Sequence, residues 1–231
     1  VLILGIETAT EQVGVALGGH DGVLASFEVA RGRRHAEILT PAVEFVCRQA
    51  EVRLDEIGVV AVDVGPGLFT GMRVGIATGK ALAQALRVPM IGIGSLDLLA
   101  FPTRHTDRVV VPVIDARKGE VFWAMYLPVP GGVQQVVAPT VGPVEELVAD
   151  LLARSQEALC VGDGAHRHRD QILEGYHCEI AGDRHPSVGA LVQLAHARAL
   201  REEWVNPREI EPEYLRAPDA QINWATRAAT R

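Results

Sequence analysis

The chain has 231 residues, 48% of them hydrophobic, and a formal net charge of −7. At ~100–200 residues per domain this length accommodates one large or two small domains of an ordinary globular α/β protein. The acidity excludes a global basic footprint for nucleic acid, so any RNA contact needs a local patch or a basic partner.

Three cysteines, Cys47, Cys160 and Cys178, stand far apart and form no CxxC pair. That pattern argues against a disulfide framework or a Cys-based zinc site and suits a reducing compartment. Residues 1–6 are apolar but too few for a signal peptide, and no apolar run reaches membrane-spanning length. A cytoplasmic location is expected, with no membrane partner.

In chain order, residues 1–6 read as a strand, broken by the polar turn Thr8-Ala9-Thr10-Glu11. Residues 13–17 and 23–29 are further strands, and their short connections predict an antiparallel meander. A basic loop at 31–34 leads into a helix over about 35–50. Its apolar positions Ile38, Leu39, Ala42, Val43 and Val46 share a face, and Pro41 should kink it or mark its start. A buried strand at 59–64 stops at Gly65-Pro66-Gly67. Thr70 then stands as the N-cap of a helix running to about Arg87, followed by a strand at 90–93. The second half repeats the order: strands at 109–114, 121–127 and 133–138, and a helix at 143–153 opened by Pro143. A strand at 158–161, a weak helix at 167–173, a short strand at 178–181 and a helix at 187–203 complete it. The tail from Asn206 should wrap the surface. The turn-like stretch 102–108 divides the chain into an N-terminal unit, 1–103, and a C-terminal unit, 104–231. Two βββαβα halves predict tandem ribonuclease-H-like subdomains side by side. That α/β topology resembles the actin-like ATPase (ASKHA) superfamily, a likeness that does not by itself assign an activity.

Gly71, Gly75 and Gly79 fall at i, i+4 and i+8 on one face of the helix after Thr70. Each costs ~1 kcal/mol relative to Ala inside a helix, so something is expected to pack very close to that backbone. A glycine-rich turn before a helix N-terminus can also cradle phosphate. Here Met72-Arg73 follows Gly71 where a P-loop would place Lys-Ser or Lys-Thr, so a structural turn is preferred. Actin-like phosphotransferases need an acid ending the first strand to position magnesium, followed by a small polar turn. Glu7, Thr8 and Thr10 offer a residual phosphate turn of this kind, or simply a hydroxyl-rich β-turn. Glu7 stands where such folds carry Asp. His35-Ala36-Glu37 lacks a second imidazole one turn on, at Leu39, and reads as a helix-terminal His that packs or caps. Glu7, Asp63 and Asp115 form a weaker candidate acidic trio for two-metal chemistry. The basic run 166–169 reads as a solvated loop. Phe122 and Ala124 alternate with Trp123 and Met125 as core. No constellation completes a mechanism, so no catalytic residue and no metal ligand set is assigned.

The segments LILGIETAT at the start, HAEILTP from His35, GPGLFTGMRVGIATGKALA from Gly65, PVIDARKGEVFWAMY from Pro112 and EYLRAPDA from Glu213 span nearly the whole chain. Together they resemble the TsaB (YeaZ) family, accessory subunits of bacterial tRNA threonylcarbamoyladenosine synthesis. Glu7 replaces that family's usual Asp, and Ala36 and Thr40 replace the commoner Ser and Leu. The resemblance implies a scaffold subunit without activity of its own. It would pair through its N-terminal helices with a TsaD-like catalytic subunit, or with a second copy of itself over the same surface, and work with a TsaE-like ATPase. The complex transfers a threonylcarbamoyl group from its adenylate to the adenosine next to the tRNA anticodon, with tRNA meeting this subunit indirectly. Carried onto this chain, the partner surface comprises His35, Ile38, Leu39, Gly71, Met72, Arg73, Gly75, Ile76, Gly79 and Lys80. A bulky residue at Gly75 is then expected to abolish pairing while leaving the fold intact. No cofactor is expected to bind firmly to the chain alone; ATP or ADP with magnesium is expected only in the complex. Two readings from other classes are an actin-like small-molecule kinase and a metal-dependent glycoprotease-like hydrolase.

Overall fold

The computed structural model describes residues 1–30 and 35–216. The basic loop 31–34 and the end of the tail, 217–231, lie outside the described residues. The first half comprises β1 (Ile3–Glu7), β2 (Gln12–Gly19), β3 (Gly22–Ala30), α1 (His35–Gln49), β4 (Val59–Gly65), α2 (Phe69–Leu86), β5 (Met90–Gly94) and α3 (Ser95–Ala100). Its sheet runs β3-β2-β1-β4-β5. β1 is antiparallel to β2 and parallel to β4, in a register that sets Ile6 opposite Val62.

The second half comprises β6 (Val109–Arg117), β7 (Glu120–Val129), β8 (Gly132–Pro143), α4 (Val144–Arg154), β9 (Ala158–Val161), α5 (Asp163–Arg167), α6 (Arg169–Gly175), β10 (Glu179–Ile180) and α7 (Val188–Ala199). Its sheet runs β10-β9-β6-β7-β8, the same arrangement with β6 in the place of β1. The expected tandem ribonuclease-H-like architecture is therefore present, with each central strand flanked by a meander on one side and parallel strands on the other.

Period-2 patterning assigns the faces. Leu4, Ile6, Val60 and Val62 point to one side, into a core closed by Leu39, Val43 and Val46 of α1 and Ile76 and Ala83 of α2. Ile3, Val59 and Ala61 point to the other side, into a core closed by Val188, Leu191, Val192 and Ala195 of α7. In β7 the expected alternation holds, with Trp123 and Met125 packed towards α4 and Phe122, Ala124 and Tyr126 towards α3.

The helices are exchanged between the sheets. α7, from the second half of the chain, covers the first sheet, while Leu96, Leu99 and Ala100 of α3 pack with Val110, Ile114 and Phe122 of the second. The predicted division at 103/104 separates the strands of the two sheets but cuts across this exchange. α3 was not expected from the sequence. Its six residues are too few for a helical period to stand out from a generic apolar run.

α2 differs from expectation at its start. Its N-cap is Leu68, extended and without a side-chain cap bond, so Thr70 lies inside the first turn. The entry is fixed instead by the Leu68 N–H, which donates to the Ala9 carbonyl at 2.6 Å. Arg87 closes the helix in the left-handed region at φ 59°, its N–H shared between the Ala83 and Gln84 carbonyls. In α1, Pro41 lies within the helix on its exposed side.

The glycine stripe explains why α2 lies so low on the sheet. A β-carbon at Gly71 would stand 2.2 Å from the Thr8 carbonyl oxygen, one at Gly75 2.2 Å from Thr8 Oγ1, and one at Gly79 2.6 Å from Val62 Cγ1. The stripe faces inward, against the chain's own β1 turn and β4. The expectation that a bulky side chain at Gly75 spares the fold is thereby overturned. Gly75→Leu should destabilise the monomer by about 3 kcal/mol, the scale of an overpacked core. Urea denaturation checks this, and an unchanged midpoint would remove the close-packing account.

Candidate functional site

Glu7 ends β1 and is fully buried. Its Oε1 accepts the Ala9 N–H at 2.8 Å, while Oε2 has no hydrogen-bond partner among the described residues. One strand over, Asp63 is 2% exposed. Its Oδ1 accepts from the Gly65 N–H at 2.8 Å and from the Ser95 hydroxyl at 2.6 Å, and its Oδ2 is also unpartnered. The parallel β1–β4 register brings both carboxyls to the same ends of neighbouring strands. Burial, reinforced by the charge of Asp63, pushes Glu7 well above the usual carboxylate range. Burial lifts Asp63 to about 7, against the opposing bonds from Ser95 and Gly65. A pair of carboxyls in this setting holds its protons to higher pH than free carboxyls do.

The turn after Glu7 is spoken for by the protein itself. Thr8 Oγ1 donates to the Gly71 carbonyl at 2.8 Å, and the Ala9 carbonyl receives Leu68. The Thr10 carbonyl accepts the His35 Nε2–H at 2.9 Å, and Thr10 Oγ1 accepts the Gln12 N–H at 3.3 Å. Thr8, Ala9 and Thr10 are at most 2% exposed. Residues that would hold a nucleotide's phosphate and magnesium therefore do not fit that task here. The hydroxyls are consumed, the turn is covered, and the acid is held where a charge is costly.

The second sheet treats the matching position differently. Asp115 near the end of β6 meets Arg117 NH1 at 3.1 Å and Arg167 NH1 at 3.3 Å. Its backbone N–H donates to Asp163 Oδ1 at 3.1 Å. Burial raises Asp163 to about 6. Arg117 also reaches Glu11 Oε1 at 2.7 Å, which ties the β6–β7 turn to the β1–β2 turn of the first sheet. The acidic trio does not assemble: Glu7 and Asp63 pair, while Asp115 is bound by arginines. Among the described residues no group of three or more His, Cys, Asp or Glu side chains is placed to hold a metal ion.

The partner-surface residues divide in two. His35, Leu39, Gly71, Met72, Gly75, Ile76 and Gly79 are buried, and Ile38 packs half-buried on the first core. These seven are internal packing, because the apolar stripes of α1 and α2 face the sheet. His35 packs, as its bland reading held, fixed to the Thr10 carbonyl. Arg73 and Lys80 point outward, the first exposed and the second half-buried.

Arg73 also meets the tail, a contact the residue pattern did not announce. Its guanidinium lies 3.7 Å over the Phe69 ring, and its Nε donates to the Tyr214 hydroxyl at 2.7 Å. The tail crosses from β5, where Val205 pairs with Met90, to Glu213, whose N–H donates to the Val64 carbonyl at 2.7 Å. At the end of the described residues Arg216 reaches Glu120 Oε2 of the second sheet at 2.8 Å. Beneath this strap lies a cavity of about 360 Å³ whose walls include Leu68, Met72 and Phe122.

A model of the family described as TsaD, tRNA N6-adenosine threonylcarbamoyltransferase, matches residues 28–224. The Bacillus subtilis tRNA threonylcarbamoyladenosine biosynthesis protein TsaB is 27% identical over 227 residues, spanning 96% of this chain and 97% of that one. A solved structure of YeaZ from Pseudomonas aeruginosa superposes with a TM-score of 0.78 at 26% identity, covering 93% of this chain and 99% of the other. The chain belongs to the TsaB (YeaZ) branch of this family. At 10% identity and a TM-score of 0.52, the ethanolamine utilization protein EutJ from Carboxydothermus hydrogenoformans shares the fold alone, over 84% of this chain and 90% of the other. The fold is that of the actin-like ATPases. In this TsaB-family chain, no helix among the described residues is long and apolar enough to cross a membrane.

The carboxyl pair has a measurable signature. Asp63 stands at 3.8 when free and about 7 in the fold, so the native state holds an extra proton between those values. Its stabilising contribution is full below about pH 4 and is lost progressively as pH rises to about 7. Asn at this position keeps the acceptor for Ser95 and Gly65 and cannot ionise. Wild type should therefore lose about 2–4 kcal/mol relative to Asp63→Asn across that window, read from denaturation midpoints at each pH. Parallel curves would place the proton elsewhere.

Proposed function

We propose that this chain is a non-catalytic scaffold subunit in tRNA threonylcarbamoyladenosine biosynthesis. Family membership supports work in that process alongside partner proteins. On this reading the chain holds a TsaD-like catalytic subunit, works with a TsaE-like ATPase, pairs with a second copy of itself over the same face, and meets tRNA indirectly. The observation that carries the non-catalytic role is the burial of the Glu7–Thr10 turn under α2. An actin-like phosphotransferase needs that turn open to bind phosphate and metal.

The outer face of α1 and α2 is the surface best suited to a partner. Ala36, Thr40 and Glu44 of α1 and Arg73, Ala77 and Ala81 of α2 are exposed there. Ala77 and Ala81 stand one turn apart, and their small side chains let another helix approach closely. The charges at Arg73, Lys80 and Glu44 suit a polar rim. ATP or ADP with magnesium binds only once a partner completes a site; the chain alone holds no cofactor firmly. The kinase reading conflicts with the covered turn. The hydrolase reading conflicts with buried Leu39, which occupies the position of the second imidazole.

Reconstitution tests the proposal. Modified adenosine is measured on tRNA with a TsaC-type enzyme, TsaD, TsaE and ATP, with and without this chain. Formation should require the chain and survive Glu7→Gln. Activity indifferent to the chain would sink the scaffold role. Loss on Glu7→Gln with pairing intact would restore a catalytic one. The double substitution Ala77→Glu and Ala81→Glu should abolish pairing in size-exclusion chromatography while leaving the denaturation midpoint within about 1 kcal/mol of wild type, as expected of exposed positions.

A further inference from the structure

A second open groove lies at the far end of α2. It measures about 550 Å³ and is lined by Gln84 and Arg87 at the helix end, Pro89 before β5, and Trp204, Asn206 and Arg208 of the tail, among others. The groove is held in shape by the backbone bonds between Met90 and Val205, at 3.0 and 2.9 Å. Its lining carries two guanidinium groups and no carboxylate.

Those two arginines differ from several others in the chain. Arg53, Arg108, Arg117, Arg201 and Arg216 are each paired with a carboxylate. Arg87 and Arg208 are exposed, and among the described residues neither side chain has an ion-pair or hydrogen-bond partner. Trp204 lines the same groove and is 40% exposed, although large apolar side chains usually gain by burial. Glu203, next to Trp204 in the chain, is paired with Arg201 at 2.6 Å.

We infer that this groove binds an unpaired nucleotide of RNA, with its base against the Trp204 ring and its flanking phosphates on Arg87 and Arg208. Every base has a face that can stack on an aromatic ring, and guanidinium groups bind phosphate oxygens through paired N–H donors. Gln84 and Asn206 supply donors and acceptors for base edges. The overall charge of −7 gives no general attraction for RNA, so binding depends on a local patch. The inference rests on the chain's work in tRNA modification, and it departs from the scaffold reading in one respect: here the chain meets RNA directly, at the C-terminal end of α2 beyond Ala81.

The test is fluorescence anisotropy of a labelled tRNA anticodon stem-loop against the full chain at low and moderate salt. The double variant Arg87→Ala, Arg208→Ala should weaken binding at least 10-fold and reduce the salt slope by about 1.4, two single-strand phosphate contacts. Trp204→Ala should weaken it about 5- to 10-fold, and Trp204→Phe should restore most of the loss, which a purely structural role would not predict. Equal binding by wild type and the double variant, or no binding by wild type at either salt, overturns the inference. A polyglutamate peptide lost on the same substitutions while RNA is retained would give the groove to an acidic protein partner and overturn it equally. Pairing with the catalytic subunit, followed separately by size exclusion, should be unchanged in all these variants. Failure of the scaffold reading would show in wild-type pairing and not in this comparison.

Discussion

A β-carbon at Gly75 would stand 2.2 Å from the Thr8 hydroxyl, and one at Gly71 the same distance from the Thr8 carbonyl. α2 can therefore lie on the β1 turn only because those positions carry no side chain. The contact costs helix stability at each glycine, about 1 kcal/mol relative to Ala, so tertiary packing must supply the compensation. It is also self-satisfying: Thr8 donates to Gly71, Leu68 donates to Ala9, and His35 at the head of α1 donates to Thr10. One small turn thus anchors the starts of both helices whose outer faces form the proposed partner surface. Closure of the turn and presentation of that surface are two results of the same packing.

Duplication placed an acid near the end of each central strand, and the two copies have settled into opposite environments. Glu7 shares a sealed space with Asp63 and is driven towards its neutral form by burial. Asp115 keeps two arginines within salt-bridge distance. Identical topology therefore supports a proton-holding pair in one sheet and a charge network in the other. The difference lies in what surrounds the strand ends. Burial disfavours the charge of the acid in the first sheet, and arginines hold it in the second.

The two sheets are joined more tightly than a tandem repeat requires. α3 and α7 each cover part of the opposite half's sheet, Arg117 bridges to Glu11 between the two turns, and the tail straps both lobes. Arg73 belongs to two of these systems. It lies on the outward side of α2 and is stacked on Phe69 with the Tyr214 hydroxyl as its acceptor. A partner that contacts Arg73 contacts the strap through it.

Much of the architecture was legible in the residues. The alternation of Leu4 and Ile6 with Ile3, the apolar stripe of α1 and the repeated order of elements fixed the strands, helices and duplicated topology, because those signals arise from local periodicity. The spacing of Gly71, Gly75 and Gly79 announced a close approach. What approached was not legible, since a stripe that fits a partner also fits the chain's own β1 turn. Only the tertiary structure decided that it faces inward, that Met72, Ile76 and Leu39 are core, and that the opposite side of the same helices is left exposed. The pairing of Glu7 with Asp63, which stand 56 positions apart, depends on the parallel register of β1 and β4. The exchange of α3 and α7 and the hold of Tyr214 on Arg73 likewise join distant segments. The sequence by itself determined which segments form elements and which of their faces are apolar. Which apolar face meets which, and so which surface is left for a partner, is a property of the packed chain.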